Sequence, residues 1–279
     1  AKTALNSGMT HYTDSFGLLK LRQAIANYTE KFWDFKPDID QVLVCPANTI
    51  IDYSIRCIAN PGDEVILSDP CFPTYNSVLK YNKINAVYVP LHPRNEFRML
   101  PSDISRKITK KTKMIIINSP HNPTGSVINE DDIIKIVRIA EKHGLFLLTD
   151  EVYSRIIFEE NHFSASYFDH CQEHTIILNS FSKLYSMSGW RLGYAIGPKE
   201  LIGKMGLLLQ TTLSCLPAFT QMAAISVLKN NDTDYVDKLV KEYTRRRDLI
   251  MEGLKNVPGI KCIKPKGAFY IFPEIENSK

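Results

Sequence analysis

Seven short apolar runs recur along the chain, and the segments between most of them carry helical spacing. This alternation constrains the fold more than any other feature. The runs are Val42–Cys45, Glu64–Leu67, Ala86–Val89, Met114–Asn118, Leu145–Leu148, Thr175–Leu178 and Leu192–Ile196. Met114-Ile-Ile-Ile117 contains no polar residue, so both of its faces need cover, as in a parallel sheet packed on two sides. Between the runs, Asp131–His143 places Ile133, Ile134, Val137 and Ala140 on one helical face. Asn48–Ala59 and Phe72–Tyr81 read as helices too, and an earlier one carries Leu21, Ile25, Tyr28 and Phe32 at helical spacing. The pattern predicts an α/β fold, a largely parallel sheet sandwiched by helices.

After Gly197 the pattern changes. Lys199–Leu209, Ala218–Leu228 and the long amphipathic Tyr235–Leu254 predict helices. Ile260–Ile263 and Ala268–Phe272 predict strands joined by a turn at Pro265-Lys-Gly267. This divides the 279 residues into a large unit over 1–240, N-terminal segment included, and part of a smaller α+β C-terminal unit over 241–279.

The bulk numbers exclude several classes. A hydrophobic content of 44%, a charged content of 23% and a net charge of +4 describe an ordinary globular chain. The cluster Arg245-Arg246-Arg247 falls in an amphipathic helical pattern and reads as a solvated face rather than a nucleic-acid surface. No apolar run is long enough to span a bilayer, and no signal-peptide pattern opens the chain. Six cysteines without a CxxC pair predict reduced, buried thiols and a cytoplasmic protein. His170, Cys171 and His174 lack a matching second ligand pair, so no metal site is expected.

In open α/β sheets, ligands collect beyond the carboxyl ends of the strands, and the chemically suggestive residues fall at such ends. After Thr175–Leu178, Lys183 stands among Ser180 and Ser182, and Arg191 is flanked by Gly189 and Gly193. Buried lysine amines become nucleophilic and form Schiff bases, while hydroxyls and a guanidinium fork suit a phosphate. The combination points to an aldehyde cofactor that also carries phosphate, pyridoxal phosphate. After Met114–Asn118, Asn122 is held by Pro123 with an amide able to donate to a phenolate oxygen. After Leu145–Leu148 comes Asp150-Glu-Val-Tyr153, whose first carboxylate can pair with a protonated pyridine nitrogen. Glu151 points to the opposite side and reads as structural. Val42–Cys45 leads into a helix whose free N–H groups favour an anion. Pro46 has no N–H, so Ala47 and Asn48 must carry that contact. Phe72 can stack on a ring.

Ser180-Phe-Ser-Lys183, followed by Gly189-Trp-Arg-Leu-Gly193, resembles the lysine motif of the class I/II aminotransferases, the fold-type I pyridoxal-phosphate enzymes. Met187-Ser-Gly-Trp-Arg191 is most similar to their aspartate/aromatic branch. The resemblance extends in family order through Tyr12, Ala47-Asn48, Phe72, Asn122, Asp150, Tyr153, Lys183 and Arg191, over nearly the whole chain. It implies the large domain of a pyridoxal-phosphate-dependent transferase. Lys183 would carry the cofactor as a Schiff base and then move protons. Asp150 would face the ring nitrogen, Asn122 and Tyr153 would share the ring hydroxyl, and Phe72 would stack. Ser180, Ser182, Arg191, Ala47 and Asn48 would hold the phosphate. Tyr12, within a Tyr12, Gly17, Leu21-Arg22 pattern, would reach the phosphate of a neighbouring subunit, which implies a homodimer with shared sites. The family usually has glycine where Pro46 stands and serine or threonine near Asn48.

The implied activity is transfer of an amino group from an amino acid to a 2-oxo acid in a ping-pong cycle. Two alternatives share the scaffold: a pyridoxal-phosphate C–S lyase, and a cofactor-binding sensor domain without turnover, although no helix-turn-helix candidate precedes the sheet. A nicotinamide dehydrogenase is excluded because no GxGxxG follows the first strand. Relative to the family the chain reads as cut at both ends, with the arginine that grips the substrate α-carboxylate beyond Lys279.

Overall fold

Alternate residues of the apolar runs face opposite sides of one seven-stranded sheet. A computed structural model describes residues 1–159, 161–230 and 233–276. The strands are β1 (Val42–Val44), β2 (Glu64–Asp69), β3 (Asn85–Pro90), β4 (Thr112–Asn118), β5 (Phe146–Asp150), β6 (Thr175–Ser180) and β7 (Gly193–Ile196), in spatial order β1-β7-β6-β5-β4-β2-β3. The pairs β2·β3, β2·β4, β4·β5 and β5·β6 are parallel, and β7 is antiparallel to both β6 and β1. Two reversals cancel, so β1 ends on the same edge as the parallel strands. Arg191, just ahead of β7, reaches that edge from the amino end of its strand.

One face carries Leu43, Leu67, Ile116, Leu148, Leu178 and Ala195 beneath Ile50, Ile51 and Ile55 of the helix Ala47–Ile58 and Ile202 and Met205 of the helix Lys199–Leu213. The other face carries Val42, Val44, Ile177 and Ile196 against Leu21 and Ile25 of the helix Leu19–Trp33 and Ala224 and Ile225 of the helix Ala218–Asn230. Further along this face, Ile66, Ile115, Ile117 and Leu147 meet Ile133, Ile136 and Val137 of the helix Glu130–His143. Each such aliphatic side chain, fully buried, contributes about 1.5–3 kcal/mol. The period of two continues to the strand ends, so Asn118, Asp150 and Ser180 share the face covered by Ala47–Ile58.

The helix Glu130–His143 shows why the sequence starts and stops elements where it does. Asn129 accepts from the Asp132 N–H at its start, Glu130, Asp131 and Asp132 fill its first turn, and Lys142 and His143 fill its last. Gly144, at φ 60°, ends it in the left-handed conformation.

Beyond the sheet, the helix Thr233–Lys255 contains residue 240 and leads to β8 (Ile260–Cys262), which pairs antiparallel with β9 (Pro273–Ile275). The strand predicted over Ala268–Phe272 is not formed; its place is taken by a turn, and pairing resumes only at Pro273. Ala268 is buried with φ 58° and donates its N–H to the Ile156 carbonyl at 2.9 Å, while Gly267 bridges Ile157. The apolar composition there reflects packing against the loop after β5, not a ladder. The arginine cluster also divides. Arg245 and Arg246 lie on the surface and bond Glu242, whereas the Arg247 side chain turns inward to Glu159 at 2.6 and 2.8 Å and the Pro265 carbonyl at 3.2 Å.

No helix among the described residues is long and apolar enough to cross a membrane. All six cysteines are free thiols, but only Cys45 and Cys171 are buried, while Cys57, Cys71, Cys215 and Cys262 are half-buried. Among the described residues no group of three or more His, Cys, Asp or Glu side chains is arranged to hold a metal ion.

Candidate active site

At the carboxyl edge of the sheet, on the face covered by Ala47–Ile58, lies a cavity of about 240 Å3. Ten of the eleven residues singled out from the sequence line it. Asp150 comes from the end of β5 and Tyr153 from the turn that follows. Asn122 sits in the loop after β4. Ser180 closes β6, Ser182 and Lys183 occupy the single helical turn Phe181–Leu184, and Arg191 precedes β7. Ala47 and Asn48 open the helix after β1, and Phe72 precedes the helix Pro73–Tyr81. Tyr12 stands outside the cavity, 87% exposed. A wider cleft of about 550 Å3, lined by Trp33, Arg155 and His162 among others, holds no lysine and none of these residues.

One end of the cavity is built for an anion. Pro46 is the N-cap of Ala47–Ile58, and its carbonyl accepts from Thr49 and Ile50 at 2.9 and 3.1 Å. No backbone partner takes the N–H groups of Ala47 and Asn48 among the described residues, so they remain donors at the positive end of the helix. Gly193 lets the turn come this close: a Cβ there would lie 2.7 Å from the Asn179 carbonyl oxygen and 3.3 Å from the Ala47 nitrogen. Ser180 Oγ accepts from the Ser182 N–H at 3.0 Å and lies 2.9 Å from Ser182 Oγ. Arg191 bonds the Ser188 carbonyl at 2.7 Å and is otherwise exposed at the rim.

The other end holds the carboxylate. Asp150 Oδ2 accepts from the Tyr75 hydroxyl at 2.6 Å and Oδ1 from the Val152 N–H at 3.3 Å. Burial pushes the Asp150 carboxyl up to about 6, against the opposing pull of those two donors. Burial and the neighbouring carboxylate push the Tyr75 phenol well above its ordinary range, so it stays a donor. Tyr153 is likewise pushed upward by burial, and its hydroxyl meets that of Tyr270 at 2.5 Å. Lys183 Nζ lies 5.9 Å from the Tyr153 ring centre and 5.6 Å from that of Phe269, with no hydrogen-bond partner among the described residues.

Four residues of this site escaped the sequence reading. Tyr75 falls within the segment searched for a stacking ring but looks like a core aromatic of its helix. Asn118 accepts from the Asn122 N–H at 2.7 Å and donates to the Asp150 carbonyl at 2.9 Å, tying the two loops together. His121 spans Ser68 at 3.0 Å and Thr124 at 2.8 Å, and burial pushes it down to about 3, which keeps it a neutral strut. Tyr270 arrives from the C-terminal turn. The sequence places it inside the predicted strand Ala268–Phe272, with nothing to mark it as part of the site.

The donor set fits pyridoxal phosphate. Bare helix N–H groups, two hydroxyls, a guanidinium, a buried carboxylate with a raised pKa and an unpaired lysine line one cavity. Comparison with known proteins agrees. The model of the family "Aminotransferase class I and II" matches residues 1–279. The aspartate aminotransferase of Pyrococcus horikoshii is 37% identical over 100% of this chain and 71% of its own length. The crystal structure of an aromatic aminotransferase from Pyrococcus horikoshii superposes with a TM-score of 0.94 at 36% identity, over 98% of this chain and 74% of that one. An alanine aminotransferase from Pyrococcus furiosus gives 0.94 at 31% identity, over 100% and 72%. The chain therefore belongs to the class I and II aminotransferases. It is an enzyme that uses pyridoxal phosphate to move amino groups between amino acids and 2-oxo acids.

Proposed function

We propose that this cavity carries both half-reactions of a ping-pong transamination, with Lys183, Asp150 and Tyr153 as its catalytic residues. The reading rests on one observation above all: the unpaired Lys183 amine shares a small cavity with the buried Asp150 carboxylate and the free helix N–H donors of Ala47 and Asn48. Pyridoxal phosphate supplies an aldehyde that bonds amines and a ring that takes up the electron pair left at the substrate α-carbon. Asp150 holds a proton on the ring nitrogen, where its raised affinity for a proton becomes attraction for a cation. Lys183 would bind the aldehyde and, as a free amine, would move a proton at the substrate α-carbon. Asn122 and Tyr153 hold the ring hydroxyl, and Phe72 packs on the ring. Ala47, Asn48, Ser180, Ser182 and Arg191 hold the phosphate.

The remaining assignments follow the family. Tyr12, exposed and outside the cavity, reaches the phosphate in a second copy, which makes the protein a homodimer with shared sites. Residues 1–240 form the large unit and 241–279 the start of a small one, the last three residues lying outside the described region. The protein works in the cytoplasm. Its relatives carry names for aspartate, aromatic and alanine substrates, so the donor amino acid is read from assay. Borohydride reduction of the cofactor-loaded protein should leave a pyridoxyl label on Lys183, and donor amino acids should bleach the visible band with stoichiometric release of 2-oxo acid. Lys183→Ala should lose both. A label on another residue, or full turnover by the variant, would overturn the assignment.

A further inference from the structure

Tyr153 and Tyr270 meet through their hydroxyls at 2.5 Å, and a phenol has only one hydrogen. One hydrogen therefore lies between the oxygens, and the other is free to serve the cavity that both residues line. Tyr153 is 2% exposed and has no other hydrogen-bond partner among the described residues. If it donated to Tyr270, it would have no hydrogen left for a ligand. If Tyr270 donates instead, the Tyr153 hydrogen points onward, and a chain of two O–H groups polarises each donor in turn.

The backbone around Tyr270 is fixed tightly enough to impose that contact. Gly125 accepts from the Lys266 and Gly267 N–H groups at 2.9 and 3.0 Å. A Cβ on Gly125, which sits at φ 70°, would fall 2.4 Å from Pro265 Cβ and 3.2 Å from the Tyr270 carbonyl oxygen. Ala268, buried at φ 58°, turns the chain here, and Tyr270 lines the cavity. The Tyr153 ring is met edge-on by Phe269, with centres 5.3 Å apart, and by Tyr270, with centres 5.6 Å apart. The titratable groups facing Tyr153 are Asp150 from β5, Tyr75 from the helix Pro73–Tyr81, Lys183 from the turn after β6, and Tyr270.

We propose that Tyr270 is a positioning residue for the cofactor: its hydroxyl donates to Tyr153 and so directs the Tyr153 hydrogen at the ring hydroxyl of pyridoxal phosphate. A residue of the C-terminal segment thereby tunes the cofactor's electronics without touching it. The proposal rests on the placement of Tyr153 at the ring hydroxyl. A donor there stabilises the anionic ring oxygen, so weakening that donor moves the pH midpoint of the bound cofactor's visible band upward.

The test is a spectrophotometric pH titration of the cofactor-loaded full chain as wild type, Tyr153→Phe, Tyr270→Phe and the double variant, with cofactor affinity measured in parallel by fluorescence. Tyr153→Phe should raise the midpoint by about one pH unit and Tyr270→Phe by roughly half a unit. The double variant should match Tyr153→Phe alone, because Tyr270 acts only through Tyr153. An unmoved midpoint in Tyr270→Phe, or additive shifts in the double variant, would overturn the relay. An unmoved midpoint in Tyr153→Phe would instead remove the placement on which it rests. Both substitutions keep the rings, and melting temperatures of the cofactor-free variants identify any that fail to fold.

Discussion

Asp150 and Glu151 are neighbours in sequence, both buried, and they serve opposite sides of the end of β5. On the cavity side, each Asp150 oxygen receives one donor, from Tyr75 or Val152. On the reverse side, Glu151 Oε1 accepts from Ser164 at 2.7 Å and Thr149 at 3.1 Å, and Oε2 from Trp33 Nε1 at 3.2 Å. His162 Nε2 lies a further 3.1 Å from Oε2, out of line for a hydrogen bond. The difference teaches what separates a functional carboxylate from a structural one at equal burial. Glu151 is saturated by donors from the helix Leu19–Trp33, from its own strand and from the loop after β5, and it ties them together. Asp150 is left short of donors, so its charge is uncomfortable alone and suits a cationic ligand.

Substitutions on the two sides should separate these roles. Glu151→Ala strands the Trp33, Thr149 and Ser164 donors, and should destabilise the fold by about 3 kcal/mol or more. Urea unfolding of the cofactor-free protein reads this directly, and a wild-type midpoint would erase the contrast. Asp150→Asn should instead slow the half-reaction with a donor amino acid at least about a hundredfold. It should also stabilise the cofactor-free protein at neutral pH. The folded-state value of about 6 exceeds the ordinary 3.8, so the folded protein binds a proton that the unfolded chain releases in between. Stability from this group is fully present below about pH 4 and is lost as pH rises through about 6. The Asn variant lacks that slope, and bound cofactor should remove it from the wild type. The smallest effect is expected for Tyr75→Phe. It keeps the ring but removes a donor that holds the Asp150 pKa down, so the pH through which this stability is lost should move up by about one unit, read from the pH dependence of urea unfolding of the cofactor-free protein.

The sheet was legible because continuous apolar strands such as Met114–Ile117 and amphipathic segments such as Asp131–His143 admit few other arrangements. Asp150, Asn122 and Lys183 were legible as candidates because each follows such a run and carries a side chain with little structural use there. Tyr75, His121 and Tyr270 were not, since each matters through a partner far along the chain. Ala268–Phe272 misled because a buried turn and a strand share an apolar composition. Arg247 is different: its signal was present. Val236, Val240, Tyr243 and Arg247 recur at three- and four-residue steps, which puts that arginine on the inward face of its helix.

The antiparallel pairing of β1 with β7, Val42 against Ile196, sets an order of events during synthesis. The bare N–H groups of Ala47 and Asn48 emerge early, but the hydroxyls, the guanidinium and Gly193 that complete their surroundings emerge much later. A chain released one residue at a time therefore has half an anion site and no lysine to accompany it until residue 183 has been added. Cofactor capture thus waits for Lys183 and Arg191, and Tyr270 is the last in chain order of the described residues that line the cavity.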